Sequence, residues 1–187
     1  DTMRTGADAL ARAAASLSGR PVECVRITAT QSMSMFLVAH LAHLTTSCPG
    51  TRLEIVATRD QLSLACREAD IALRMRRPPD TGDLVVRKIG QAAMSLYASR
   101  ALANRCSIPS NRLDIAQLPI IASMRDAGLS RQESWIADNL KSNTVAMRIS
   151  ETTLRRDAVV AGHGAALLPC FAGDAIPELV RVLEPPE

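Results

Sequence analysis

The 187-residue sequence predicts an α/β protein made of two successive α/β units, and three observations carry that expectation. From Val22 onward, short β-rich runs alternate with helical ones, the order that gives parallel strands joined by crossover helices. Apolar residues make up 47% of the chain but aromatic ones only 2%, so the core must be aliphatic. A loop running from Pro78 to Asp83, with Pro79, Asp80 and Gly82 inside it, punctuates the series between its two halves.

Residues 3–18 form an Ala-rich, weakly amphipathic stretch that reads as a helix, stopped by Gly19 and Pro21. Met3, Leu10 and Leu17 recur at heptad spacing along it. ECVRIT (23–28) follows as a strand, and residues 32–47 as one helix with Phe36, Leu37, Leu41 and Leu44 on one side. Pro49 and Gly50 make a turn into the strand RLEIVAT (52–58). A helix over 60–69 with Asp60 as its N-cap, then the strand DIALRM (70–75), complete the first unit.

Past the proline loop, LVVRKIG and AAMSLYAS within 84–99 read as two more strands. LDIAQLPIIAS (113–123) reads as a short helix and then a strand. A helix over 131–140 starts from Ser130 with Glu133 three residues on, the spacing of a capping box. TVAMRIS (144–150) is a strand, 151–162 a helix and AALLP (165–169) a short strand stopped by its proline. The segments are 1–20 as an N-terminal helix, 21–90 and 91–180 as the two lobes, and 181–187 as a crossover back toward the first.

Composition removes several functions. The four aromatic residues, Phe36, Tyr97, Trp135 and Phe171, cannot furnish base-stacking platforms. There are 22 Lys plus Arg, only Lys88 and Lys141 being Lys, against 19 Asp plus Glu. The resulting +3 is spread evenly rather than gathered into a basic face, so a nucleic-acid footprint is not expected. The longest uncharged stretch, Ile27 to Thr51, is too rich in Thr, Ser and His to span a bilayer, and the charges of the first residues spoil a secretory signal. Five cysteines without a CxxC pair read as reduced thiols, and a cytoplasmic location follows.

Catalytic chemistry is equally thin. Neither a GxSxG elbow nor an evident Cys and His pairing stands out among three histidines, so no enzyme is expected. His40 and His43 could share a metal by spacing, but no thiolate or carboxylate joins them at ligand distance in sequence, and no metal or cofactor is expected. Gly162-His163-Gly164 follows a helix and precedes a strand, the reverse of a dinucleotide fingerprint, and reads as a helix-ending turn.

What remains is a binding pattern. Ligands of α/β sheets bind at the carboxyl ends of strands, and the residues there are mostly Ser, Thr, Gln and Arg: 28–32, 58–59, 74–77, 123–126 and 150–153. This suits an anionic or hydrogen-bonding small molecule, although Ser32 and Ser150 are equally well read as helix caps.

Five segments in order, RIT (26–28), PGTRLEIV (49–56), EADIALR (68–74), LYAS (96–99) and AGHGAALLP (161–169), at their spacing strongly resemble the effector-binding domain of LysR-type transcriptional regulators. The resemblance spans about residues 20–183. It implies two Rossmann-like lobes with a ligand cleft, of the periplasmic-binding-protein type II kind. It places ligand contacts at Thr30, Gln31 and Ser32, at Thr58 and near Arg74 in the first lobe. In the second it places them at Ser123 and Met124 and at Ser150, Glu151 and Thr152. Residues 1–20 then look like the end of a linker helix, and helix 32–47 like one side of an antiparallel dimer contact, with a homodimer or homotetramer implied. DNA would be met only through an N-terminal winged helix-turn-helix outside these residues, and the strand and helix that normally return to the first lobe are absent after VRVLEPPE. A solute-binding protein of a transporter, or an enzyme on the same scaffold, are the alternatives.

Overall fold

The computed structural model describes residues 24–60, 64, 68–75, 84–106, 115, 118–124, 130–140 and 143–183. The expected helix over 3–18, most of the short helix that opens 113–123, most of the helix over 60–69, and the loop at 78–83 lie outside the described residues. The chain divides into two compact units, Asp1–Ala92 and Ala93–Glu187.

In unit 1, β1 (Cys24–Ala29) is flanked by β2 (Arg52–Ala57) and β3 (Ile71–Leu73), both parallel to it, in the order β2-β1-β3. Val25, Ile27 and Ala29 alternate along β1 and are fully buried, whereas Arg26 faces solvent. Arg26 is in register with Glu54 and donates from Nε at 2.7 Å, an exposed pair of small energetic weight. The chain leaves β1 for β2 on one side and reaches β3 on the other. The strand order therefore reverses beside the carboxyl ends of β1 and β3.

The helix expected over 32–47 is two: α1 (Gln31–Ala39) and α2 (Leu41–Ser47). His40 breaks it. Its ring Nδ1 donates to the Phe36 carbonyl at 2.9 Å while its amide is shared between the Phe36 and Leu37 carbonyls, so the i−4 ladder loses its register there. As a result Phe36, Leu37 and Leu44 are buried but Leu41 is on the exposed side, not in the stripe with them. α1 packs on β1 and β2.

LVVRKIG does not form a strand. Residues 84–93 have no regular structure, and Leu84, Val85 and Val86 are exposed, Val85 to 94%. β-branched residues favour extended backbone, but a strand needs a neighbour to complete its ladder, and none among the described residues pairs with this run.

Unit 2 contains β4 (Met94–Ser99), α3 (Arg100–Arg105), β5 (Ile120–Ala122), α4 (Ser130–Asn139) and β6 (Val145–Arg148). Then come α5 (Thr152–Val160), β7 (Ala166–Pro169), α6 (Cys170–Gly173) and β8 (Leu179–Arg181). β4 lies antiparallel between β7 and β8, and β5 pairs parallel with β6. A parallel bridge from Ile120 to Ala165 joins the two sheets. Every residue of β5 and β7, and all but Met94 of β4, is buried, which is why these segments lack charged residues and the alternation of a half-exposed strand. Alternate side chains serve two cores: Leu96, Ala98, Ile120 and Leu167 one, Tyr97, Ile121, Ala166 and Leu168 the other.

Two glycines are dictated by geometry. Gly162, at φ +80°, ends α5: its amide donates to Val159 and that of His163 to Ala158, a Schellman motif. At Gly164 a Cβ would lie 2.7 Å from the Pro119 carbonyl oxygen, so the β5–β7 seam closes only over a hydrogen. Ser99 caps α3, its Oγ accepting from the Leu102 amide at 3.2 Å.

Candidate ligand-binding site

Each unit carries one group of the expected residues. In unit 1, Thr30, Gln31 and Ser32 lie at the start of α1, directly after β1. Thr30 is the N-cap, yet its hydroxyl makes no cap hydrogen bond and stands 3.5 Å from that of Ser32. Both hydroxyls thus sit at the positive end of a nine-residue helix without sealing it. Thr58 follows β2, and its amide extends the ladder by donating to Ala29. Its hydroxyl donates to Asp60 Oδ2 at 3.1 Å and accepts from the Asp60 amide at 3.0 Å, a local turn that holds 58–60.

Arg74 follows β3 and reaches back across the strand ends. Its Nη2 donates to the buried Thr28 hydroxyl at 3.1 Å and to the Asp60 carbonyl at 3.0 Å, and Nη1 donates to the Leu73 carbonyl at 3.2 Å. Arg74 and Thr58 are thereby tied to the same loop. Burial pushes the Arg74 guanidinium below its ordinary pKa, although it stays a cation.

In unit 2, Ser123 follows β5 and donates to Glu133 Oε1 of α4 at 2.6 Å. Glu133 Oε2 accepts from Arg148 at 2.9 Å, and the same nitrogen donates to the Ser123 carbonyl at 2.8 Å. Burial works to raise the Glu133 pKa, but the bonds from Ser123 and Arg148 outweigh it and hold the carboxyl below its ordinary value. The capping-box reading of Glu133 is therefore corrected: Ser130 is already helical, and both Glu133 oxygens are taken by β5 and β6 groups. Met124 is 40% exposed.

Ser150, Glu151 and Thr152 lead into α5, where Glu151 is the N-cap without a side-chain cap bond. They are organised by Arg155, the largest fully buried side chain among the described residues. It donates from Nη1 to the Ile149 and Ser150 carbonyls, each at 2.9 Å, and from Nη2 to the Thr152 hydroxyl at 3.1 Å.

Sequence reasoning included Thr28 in the strand-end run 28–32 but missed Asp60, Glu133, Arg148 and Arg155 as members of these groups. Only Arg155 had a local signal: with Thr152 and Val159 it forms the i, i+3, i+7 stripe that a helix buries. Glu133 and Arg148 meet across 15 residues, beyond any local pattern. Among the described residues no three His, Cys, Asp or Glu gather as a metal would require, and no helix is long and apolar enough to cross a membrane.

Comparison of the sequence with curated proteins finds no match. The fold is similar to the regulatory domain of CrgA, a LysR-type transcriptional regulator from Neisseria meningitidis, at a TM-score of 0.70 and 22% identity over 86% of this chain and 81% of that one. It is also similar to the AmpR effector-binding domain from Citrobacter freundii, at a TM-score of 0.63 and 19% identity over 88% and 84%. Full-length AphB from Vibrio cholerae matches at a TM-score of 0.64 and 18% identity, but this chain spans only 64% of it, and 62% of full-length CrgA. Identities this low speak for the fold. The family model of the LysR substrate binding domain matches residues 18–187. The chain therefore belongs to the LysR substrate-binding-domain family.

Proposed function

We propose that this chain is the effector-sensing and oligomerising part of a LysR-type transcriptional regulator, resident in the cytoplasm. A small molecule held at the carboxyl ends of the strands biases the arrangement of the domain or its dimer. That bias is passed to a DNA-binding module outside these residues. The observation that carries the reading is the set of hydroxyls at the strand ends of unit 1, Thr30, Ser32 and Thr58, beside the point where strand order reverses in a LysR substrate-binding domain.

A ligand screen by thermal shift tests it, because a molecule that binds only the native state raises the melting midpoint. Ser32→Ala and Thr58→Val are expected to weaken binding of any hit about 3- to 10-fold without unfolding the domain. Unchanged calorimetric affinity in both variants would overturn the site. Sedimentation at micromolar concentration is expected to show a dimer or tetramer, and a strict monomer would count against the oligomerising role.

A further inference from the structure

No further inference is drawn: the strongest candidate, the exposed apolar run of Leu84, Val85 and Val86 near the end of unit 1 with the exposed cations Arg87 and Lys88 beside it, has no strand partner among the described residues, and nothing in the structure shows what covers it.

Discussion

Two arginines stand at strand ends in different units, and their surroundings differ in kind. Arg148, the last residue of β6, is matched by the Glu133 carboxylate at 2.9 Å, and Ser123 hydrogen-bonds that carboxylate as well. Arg74, just past β3, meets a hydroxyl and two carbonyls among the described residues. The first arrangement is complete in itself and braces β5, β6 and α4 together. In the second, no acid among the described residues pairs with the charge. An ion pair closed within the fold offsets the desolvation of both charges, whereas a guanidinium that bonds carbonyls and hydroxyls ties backbone segments together without neutralising its own charge.

The contrast can be broken most forcefully at Arg155, whose buried guanidinium serves unit 2 as a brace of neutral carbonyls. Arg155→Leu strands the Ile149 and Ser150 carbonyls and the Thr152 hydroxyl, and is expected to cost about 3–5 kcal/mol in urea denaturation. Gly164→Ala probes the tight seam of the same unit. With a backbone carbonyl in the way, it is expected to cost about 2 kcal/mol, read as a lower thermal midpoint.

Glu133→Gln tests the closed pair directly. It is expected to cost about 1–2 kcal/mol near neutral pH, less than for a fully buried pair because the Arg148 and Glu133 side chains are 28% and 22% exposed. Because the folded-state pKa of Glu133 lies below its ordinary 4.5, its contribution is complete above that value and is lost as pH falls through the lower, folded-state one. The wild type should therefore lose stability more steeply than Glu133→Gln between about pH 5 and pH 3, measured by thermal midpoints; parallel profiles would remove the pair from unit 2's stability. Asp174, held below its ordinary value chiefly by Arg181, adds an acid-sensitive background common to both proteins. The smallest effect is expected for Arg74→Gln, about 1 kcal/mol by denaturation, since Arg74 is only half-buried and water can take over much of what its bonds to Thr28, Asp60 and Leu73 supply. A loss as large as that of Arg155→Leu would mean that Arg74 is a brace too.

Much of the fold was legible because burial writes itself into runs of one residue type. IIA and ALLP are apolar without interruption and MSLYAS carries only the small Ser95 and Ser99 as polar residues, and each is a strand covered on both faces. Gly162 was legible as a helix end because only a residue without Cβ takes its positive φ cheaply. LVVRKIG shows the limit, for it has the composition of a strand and no partner among the described residues. His40 shows another: a polar ring in an apolar helical pattern can take the very carbonyl that the next turn needs.

The same division runs through the candidate site. The alternation of elements, and so the positions of the strand ends where Thr30, Thr58, Arg74, Ser123 and Ser150 fall, follows from local periodicity and was determined by the sequence itself. Which of those groups is already satisfied could be decided only in three dimensions. Arg74 meets Thr28 across 46 residues, Arg148 meets Glu133 across 15, and Ser123 meets Glu133 across 10. Local patterns record what a segment buries. Charge pairing depends on which segments the sheet brings side by side, and that gives Arg148 an acid while Arg74 meets a hydroxyl and carbonyls among the described residues.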